Sequence, residues 1–285
     1  MHDNNRLKDN SRLKNIKLTD EMITRYSRQI ILDEVSGIGQ KKILASSVFI
    51  AGTGGLGVPV AMYLVAAGVG KVAISDFDNV DLSNLQRQVL YSTEDIGKPK
   101  VEVAYEKLKK LNPDVEIVKI NEKLSASNIM NLIKDYDIVV DGSDNFPARY
   151  AVSDACVILG KPYIYGSVLR FEGQVSTFVP TEGACYRCLY PEPPPPGVMP
   201  SCQEAGVLGV VPGIIGLLQA NEVLKMILGI GEPLMNKLLV FDALSSNFEI
   251  FKIRKRKDCP ACGTNPTIKT PQDIEYWCSV RFGSA

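Results

Sequence analysis

Cysteine and histidine set the first limits on the chemistry of this 285-residue chain. The single histidine, His2, lies in a polar N-terminal stretch, so mechanisms that need a histidine base in a folded domain are excluded. Ser-His-Asp hydrolysis and most histidine-assisted dehydrogenation are thereby ruled out. Four of the seven cysteines form two Cys-x-x-Cys pairs, Cys185 with Cys188 and Cys259 with Cys262. In a chain without an export signal this pattern indicates a metal rather than disulfides.

The two pairs together offer four thiolates, the ligand set of a closed, tetrahedral zinc site of the structural kind. About 70 residues separate them, far more than in a zinc ribbon, so spacing alone leaves open whether they meet. The alternative is two separate pairs or a thioredoxin-like redox motif. We predict one zinc ion that ties the tail to the core.

The other three cysteines imply different things. Cys156 falls on the apolar face of a predicted helix and is interpreted as core packing, whereas Cys278 in the tail is uninformative. Cys202 lies in a proline- and glycine-rich stretch, where a thiol could attack an activated acyl group or handle sulfur. The alternative is an incidental loop cysteine, since exposure decides reactivity.

The segment VFIAGTGGLG carries glycines at the G-x-G-x-x-G positions Gly52, Gly54 and Gly57, between a buried strand and an apolar helix. Such glycines permit a tight turn, close approach of a phosphate and close helix packing. Asp76 follows Gly52 by 24 residues, at the end of the next strand, where an acid accepts from ribose hydroxyls. We expect a nucleotide here; a tight turn without a ligand is the alternative.

The segment after the second predicted strand carries charges that hydride transfer does not need. It contains Asp78, Asn84, Arg87, Lys98 and Lys100. A triphosphate needs such cations, because its charge must be neutralised and the leaving pyrophosphate stabilised. Taken singly, each cation is a candidate for an ordinary solvated surface charge. Their joint placement favours a triphosphate.

A later predicted strand ends in DGSDN, which places Asp141 and Asp144 at its carboxyl end. Ligands bind at this edge of a parallel α/β sheet, so one of the carboxylates is a candidate for holding Mg²⁺ beside phosphates. For Asp144 the alternative is an N-cap of the next helix.

These residues need a scaffold, and strands alternating with helical patterns through about the first 170 residues predict a Rossmann-like, doubly wound, mostly parallel sheet. The predicted strands are SVFIA, KVAIS, VEIVKI, YDIVVD and PYIYG. One helix is expected to begin at an N-cap, Thr19, and to carry MITRYSRQIIL; another ends near Gly68. SNLQRQVL predicts a short helix or turn, and Pro99 suits the first position of KPKVEVAYEKLKKLN. PARYAVSDACVILG predicts a further helix.

The second half adds an antiparallel C-terminal part. Its predicted strands are GQVSTFVP, KLLVFDA and FEIFKI, and its helix runs from about Ile214 to Leu228. PEPPPPGVMP is interpreted as an exposed connector. We expect a loose arm (1–17), one domain (18–263) and a polar tail (264–285).

Composition bounds the class of protein. The chain is 45% hydrophobic and 22% charged, with a net charge of zero, so it lacks the basic excess of a nucleic-acid binder. We find no apolar run that approaches the ~20 residues of a membrane span. The N-terminus lacks the apolar region of a signal peptide. A cytoplasmic protein is expected.

Nine motifs occur in order along the chain: RYSRQI, AGTGGLG, DFDNVDLSNLQRQ, GKPK, DGSDN, EGQV, CYRCL, AGVLG and CPACG. Together they resemble the ThiF/MoeB/HesA group, the bacterial-type branch of the E1-like enzymes that activate ubiquitin-fold proteins. The likeness runs from about residue 18 to 263 and is greatest to the molybdopterin-synthase branch and the E1-like half of its sulfurtransferase relatives. Those relatives continue into a rhodanese domain, whereas this sequence ends about 20 residues after CPACG. We therefore expect a separate sulfur donor, such as a cysteine desulfurase or a rhodanese.

The resemblance implies that ATP with Mg²⁺ adenylates the C-terminal glycine of a small, MoaD-like ubiquitin-fold sulfur carrier ending in Gly-Gly, for molybdenum cofactor synthesis. The carrier's carboxylate is ionised at pH 7, so no histidine base is required. A homodimer is implied, in which Arg28 reaches the partner's ATP site. Arg25 and Arg28 would share a helical face, with a surface salt bridge as the alternative.

Residue by residue, the resemblance implies that Asp76 binds the ribose, that Asn84, Arg87 and Lys100 bind the triphosphate, and that Asp144 holds Mg²⁺. The catalytic set is Arg28, Arg87, Lys100, Asp144 and Cys202. The nucleotide-binding set is Gly52, Gly54, Gly55, Gly57, Asp76, Asp78, Ser83, Asn84, Leu85, Gln86, Arg87, Lys100, Asp144 and Asn145. The zinc ligands are Cys185, Cys188, Cys259 and Cys262.

Two other functions stay open. The same chemistry could act on a ThiS-like or tRNA-thiolation carrier, with Cys202 forming an acyl or persulfide link. An NAD-dependent oxidoreductase on the same fold is the remote alternative, and the site residues speak against it.

Overall fold

The structure, a computed structural model, describes residue 13, residues 15–195 and residues 205–274. The strands in this part are β1 (Ser47–Ala51), β2 (Lys71–Ser75), β3 (Glu116–Ile120), β4 (Ile138–Asp141), β5 (Tyr163–Leu169), β6 (Glu172–Phe178), β7 (Lys237–Asp242) and β8 (Asn247–Lys252). They form an eight-stranded sheet of order β3-β2-β1-β4-β5-β6-β7-β8. β1 to β5 pair in parallel, and β5 to β8 pair antiparallel. The predicted fold class is confirmed.

The helices of the described part pack on both faces of this sheet or lie at its ends. They are α1 (Asp20–Arg25), α2 (Ser27–Ile30), α3 (Ser36–Ala45), α4 (Gly57–Ala67), α5 (Lys100–Leu111), α6 (Ile129–Ile133), α7 (Phe146–Leu159), α8 (Tyr186–Leu189) and α9 (Val210–Leu228). Two 3₁₀ turns, Leu82–Asn84 and Thr93–Asp95, lie between β2 and α5.

The middle of the sheet positions the site. β1 and β4 are buried along their whole length, as apolar parallel strands covered on both faces should be. β1 lies between β2 and β4, and its last residue, Ala51, aligns with Ser75 on one side and Asp141 on the other. The chain leaves β1 toward one half of the sheet and returns through β4 to the other. This strand-order reversal creates a crevice at the carboxyl ends, where nucleotides bind.

Helix α9 corrects two expectations. It begins at Val210, one turn before the predicted start, and by length and composition it is a candidate membrane span, contrary to the expectation that no apolar run approaches that length. More than half of its apolar window, 56%, is buried inside the protein. Gln219 of α9 donates to the carbonyl oxygens of Asp141 (2.7 Å) and Ile164 (3.1 Å). In this fold α9 is a core helix across β5, β6 and α4.

Local signals were confirmed in part. Thr19 caps α1, with its hydroxyl accepting from the Met22 N–H at 3.2 Å, and Gly68 ends α4 in the left-handed conformation. Pro99 occupies the N-cap of α5 rather than its first position. The predicted helix MITRYSRQIIL is interrupted at Tyr26, which separates α1 from α2. The Tyr26 side chain is buried, and its ring packs directly over Gly68.

Candidate nucleotide site and cysteine cluster

The glycine loop, residues 52–57, has no room for side chains at two of its positions. Gly52 has φ +98°, and a Cβ there would lie 2.7 Å from the Gly142 carbonyl oxygen. A Cβ at Gly57 would lie 1.8 Å from the Gly52 carbonyl oxygen, so α4 starts directly against the loop. Within the described residues no side chain caps the first turn of α4. In that turn the Val58 N–H donates to the Gly54 carbonyl at 2.9 Å, the Val60 N–H donates to the Leu56 carbonyl at 3.4 Å, and Pro59 has no N–H. The backbone donors that could face an anion are therefore those of the glycine loop and of Gly57, where α4 begins.

Asp76 is tied to the glycine loop. One of its carboxylate oxygens accepts from both the N–H (2.9 Å) and the hydroxyl (3.0 Å) of Thr53, and the other accepts from the Asp78 N–H at 3.0 Å. Tyr91 supports the same place by donating its hydroxyl to the Thr53 carbonyl at 2.9 Å. Burial raises the pKa of the Tyr91 phenol, so it stays a donor. Sequence reasoning missed Thr53 and Tyr91, although a hydroxyl inside the glycine motif was a visible signal.

Arg87 lies over the glycine loop. A Cβ at Gly55 would be 3.5 Å from Arg87 Cδ, and Arg87 Nη1 donates to the Ser83 carbonyl at 3.0 Å. The turn that carries Arg87 is also held from the far side. A Cβ at Gly209 would lie 2.2 Å from the Gln86 carbonyl oxygen. Two close packings thus fix the turn of residues 83–87, which includes the predicted Asn84 and Leu85, beside the loop.

Lys100 is a buried cation with a solvated partner. Its side chain is only 6% exposed, and its Nζ lies 3.0 Å from Asp78, whose side chain is 53% exposed. An ammonium removed from water is costly unless it is fully paired, so this site favours a further anion. Lys98 differs, because its side chain is 58% exposed and pairs with Asp95 at 3.7 Å. We assign Lys98 to the surface and Lys100 to the site.

Asp141 and Asp144 have different environments. Asp141 is fully buried, and it accepts from the N–H and hydroxyl of Ser143, from Arg149 Nε (2.9 Å) and from the Tyr163 hydroxyl (2.7 Å). Its lone pairs are therefore used, so it is no metal ligand. Asp144 is exposed at the carboxyl edge of the sheet. An exposed carboxylate beside phosphates is the donor that Mg²⁺ takes in nucleotide sites.

The cap of α7 is Asn145, not Asp144. The Asn145 side-chain oxygen accepts from the Ala148 N–H at 2.9 Å. The alternative role of Asp144 as an N-cap is therefore wrong, and Asn145, predicted in the nucleotide-binding set, has a local structural role as well.

Arg25 and Arg28 lie on separate helices because of the break at Tyr26. Arg25 makes surface contacts, with Nη2 at 3.6 Å from Glu21 and Nη1 donating to the Leu111 carbonyl at 3.4 Å. The prediction that the two arginines share a helical face is therefore wrong. The alternative, a surface salt bridge, is observed for Arg25. Arg28 is exposed on α2, which packs against α1 and α3.

Cys202 and Cys278 lie outside the described residues. Cys156 is fully buried in the core, as predicted, and burial raises the pKa of its thiol.

The two Cys-x-x-Cys pairs meet. All four sulfur atoms lie within 4.8 Å of one another. Cys185 Sγ is 3.5 Å from Cys259 Sγ, and Cys188 Sγ is 3.4 Å from Cys262 Sγ. A tetrahedral zinc ion with Zn–S bonds of about 2.3 Å would space its sulfurs by about 3.8 Å. The donor set and its spacing fit one zinc ion.

A buried ion pair anchors the first cysteine pair to α7. Arg187, between the two cysteines of CYRC, donates Nε to Asp154 Oδ1 at 2.7 Å and Nη2 to Asp154 Oδ2 at 2.8 Å. Its guanidinium also lies 4.6 Å from the centre of the Tyr150 ring. Sequence patterns gave no signal for this pair, because its partners are distant in sequence.

Comparisons with known proteins show what the chain as a whole is similar to. A model of the ThiF family matches residues 26–261. A "Sulfur carrier protein adenylyltransferase" of Thermus thermophilus is 49% identical over 271 residues, which cover 93% of this chain and 100% of that protein. An "Adenylyltransferase and sulfurtransferase MOCS3" of Culex quinquefasciatus is 45% identical, over 93% of this chain but only 61% of that protein. The solved structure of E. coli MccB with MccA-N7isoASN superposes with a TM-score of 0.76 at 26% identity, covering 84% of this chain and 74% of that chain.

Proposed function

The chain belongs to the ThiF family, and from that premise we propose that it is an E1-like nucleotidyltransferase that adenylates the C-terminal glycine of a small, MoaD-like sulfur-carrier protein. The pathway we propose is molybdenum cofactor synthesis. The Thermus thermophilus relative, whose whole length is matched by this chain, is named for the same class of reaction on a sulfur carrier protein. We take residues 18–263 as the adenylation domain, between an N-terminal arm and a C-terminal tail.

The observation that carries the proposal is the contact between the Arg87 turn and the glycine loop. Arg87 Cδ would be 3.5 Å from a Cβ at Gly55, and the buried Lys100 lies on the same segment between β2 and α5. A nucleotide held by the loop would thus meet two cations beyond its ribose. Two such cations would neutralise the charge of a triphosphate, whereas hydride transfer by an oxidoreductase does not require them.

In the proposed reaction, a carboxylate oxygen of the carrier's terminal glycine attacks the α-phosphorus of ATP. The bond from that phosphorus to the bridging oxygen of the β-phosphate breaks, and pyrophosphate leaves with the bond's electron pair. The products are carrier acyl-adenylate and pyrophosphate, and no proton needs to be removed from the nucleophile. The protein contributes in-line positioning and charge stabilisation.

Each site residue has a proposed part in this step. Asp76 accepts from the ribose hydroxyls, while Arg87 and Lys100 bind the triphosphate and stabilise the charge that develops on pyrophosphate. Asp144 would hold Mg²⁺, which supplies charge neutralisation at the phosphates. The other predicted nucleotide contacts are Gly52, Gly54, Gly55, Gly57, Asp78, Ser83, Asn84, Leu85, Gln86 and Asn145.

We propose that two copies of the chain complete each site, with Arg28 of one protomer entering the ATP site of its partner. The exposure of Arg28 on α2 supports this, because its side chain is accessible to a second chain. Mixing Arg28→Ala with Lys100→Met tests it. Each variant should be inactive alone. In a mixed dimer, one of the two sites keeps both Arg28 and Lys100, and half of the dimers in an equal mixture are mixed. The mixture should therefore regain about a quarter of wild-type activity. Absence of recovery after subunit exchange would contradict a shared site.

The zinc ion would have a structural part, since four thiolates leave no open coordination position. Cys202 would act after adenylation. Its thiol would attack the carrier's acyl-adenylate to form a thioester with release of AMP, or would take the outer sulfur of a persulfide on a cysteine desulfurase or a rhodanese, whose own cysteine leaves as a thiol. We propose a cytoplasmic location, because reduced thiolates in the cysteine cluster fit a reducing compartment.

The carrier decides between pathways, and a ThiS-like or tRNA-thiolation carrier is the second candidate. ATP–pyrophosphate exchange with a panel of purified carriers ending in Gly-Gly separates them. We expect exchange to be fastest with the MoaD-like carrier and absent when its terminal glycine is removed. Faster exchange with another carrier would reassign the pathway, and no exchange with any carrier would sink the adenylation proposal.

A further inference from the structure

The turn between β4 and α7 carries Asp144, and a network of buried polar side chains fixes its conformation. Asp141, at the start of this turn, binds Ser143 through one carboxylate oxygen and Arg149 with Tyr163 through the other. All four side chains are buried; Asp141 is 0% exposed and Arg149 6%. The network lies one residue before Asp144.

Arg149 also binds the backbone of this turn. Its Nη2 donates to the carbonyl of Ser143 at 2.9 Å and to the carbonyl of Gly166 on β5 at 3.2 Å. The N–H of Ser143 is held by Asp141, which is itself bound to Arg149. Both polar groups of the Ser143 backbone are thus tied to a single guanidinium–carboxylate pair, and that pair is anchored on the neighbouring strand.

The turn is also fixed against the glycine loop. The Gly142 N–H donates to the Ala51 carbonyl at 2.8 Å, which continues the pairing of β4 with β1. A Cβ at Gly52 would lie 2.7 Å from the Gly142 carbonyl oxygen, so the two turns are in close contact. The place of the next residues along the turn is therefore set relative to the nucleotide loop, and Arg149 maintains it.

Stability alone does not account for this ion pair. Desolvating two charges costs about what their attraction returns, and well-packed apolar side chains of similar volume often serve as well or better. What the pair adds is directional: the planar guanidinium fixes Asp141, Ser143 and β5 at defined angles, which an ammonium or an apolar chain does not.

We propose that Arg149 is a positioning residue for the metal-binding step. Through Asp141 and the Ser143 carbonyl, it places the Asp144 carboxylate where the Mg²⁺ of bound ATP is received. The inference rests on the proposed function, in which MgATP is the substrate. Because the Arg149 side chain is buried and bound to Asp141, Ser143 and Gly166, we assign it no direct contact with ATP or the carrier.

Arg149→Lys tests this role, with Arg187→Lys as the matched control. Arg187 also forms a buried ion pair, with both carboxylate oxygens of Asp154, and it lies at the cysteine cluster rather than at the proposed nucleotide site. The measurements are the melting temperature, zinc content, and ATP binding by calorimetry over a series of Mg²⁺ concentrations without carrier. Both variants should melt earlier. Only Arg149→Lys should raise the Mg²⁺ concentration for half-maximal ATP binding, by about tenfold, because an error of about 1 Å in placement is costly at such sites.

A variant that melts earlier with the Mg²⁺ dependence of the wild type would reduce Arg149 to a structural role. Should Arg149→Lys fail to fold, Tyr163→Phe removes one bond to the same carboxylate and keeps the guanidinium. It should raise the half-maximal Mg²⁺ concentration about threefold, and an unchanged value would overturn the proposal.

The wild-type protein separates this inference from the proposed function. Mg²⁺-dependent ATP binding without carrier-dependent exchange would leave the role of Arg149 standing and refute adenylation of the carriers tried. Carrier-dependent exchange together with ATP binding that does not depend on Mg²⁺ would support adenylation and refute the role of Arg149.

Discussion

At the residue scale, the site is defined by how its charges are buried. Lys98 and Lys100 are two residues apart in sequence, yet one side chain is 58% exposed and the other 6%. Charge and spacing alone grouped them, because neither records burial, and only the family resemblance selected Lys100. The start of α5 at Lys100 separates the two, since the helix turns Lys100 inward beside Asp78.

Replacing Lys100 tests the proposed triphosphate site, with Lys98 as a matched control. Lys100→Met keeps the length of the side chain and removes its charge, so carrier-dependent exchange should fall about 10²-fold or more. Lys98→Met, which alters a surface pair with Asp95, should stay within about twofold of the wild type. Comparable losses in the two variants, measured as kcat/KM for ATP, would show that burial does not select Lys100.

At the scale of elements, the sheet was predictable and the breaks within elements were not. Apolar strands followed by Gly52 or by an acid at Asp76 mark a parallel sheet and its carboxyl edge. The first helix is interrupted at Tyr26, whose buried ring packs over Gly68, a residue distant in sequence. In the same way, the DGSDN pattern alone predicted a metal-binding carboxylate at this edge without choosing between its two acids, because the hydrogen bond from Arg149 of the following helix to Asp141 is not visible in the sequence.

Asp95 supplies an element-scale prediction. It completes a capping box with Ser92 and pairs with Lys107 of α5, which fixes the segment before that helix. Burial alone would raise the pKa of this carboxyl, but hydrogen bonds from Lys107 and Ser92 outweigh it and lower the pKa to about 2. A depressed pKa stabilises the fold at every pH above the unfolded value of about 3.9, and this gain is lost as pH falls through about 2.

Asp95→Asn should therefore melt earlier than the wild type at pH 7, with a difference that shrinks steadily between pH 4 and pH 2. Melting curves followed by circular dichroism over this range measure it. A difference that stays constant down to pH 2 would mean that the charge of Asp95 does not contribute.

At the scale of the whole molecule, the cysteine cluster joins two segments that lie about 70 residues apart. Spacing could not predict this meeting, because the first pair lies at α8 and the second follows β8, and only the folded chain brings these segments together. Binding of zinc to such a site contributes on the order of 10 kcal/mol to folding in small zinc proteins. The C-terminal segment is therefore expected to depend on the metal.

Metal analysis tests this dependence. The purified protein should contain about one zinc per chain, and Cys259→Ser should lower that below one half and lower the melting temperature. Cys156→Ala removes a buried thiol outside the cluster and should keep the zinc. Full zinc content in Cys259→Ser would exclude the four-thiolate site.

The central claim, nucleotidyl transfer to the carrier's carboxylate, is tested most directly by following label from ATP. With ATP labelled at the α-phosphate, the MoaD-like carrier should become labelled, in amounts that depend on its C-terminal glycine. With ATP labelled at the γ-phosphate, the label should appear in pyrophosphate and leave the carrier unlabelled. Transfer of the γ-label to the carrier, or no transfer of the α-label while ATP is consumed, would contradict the account.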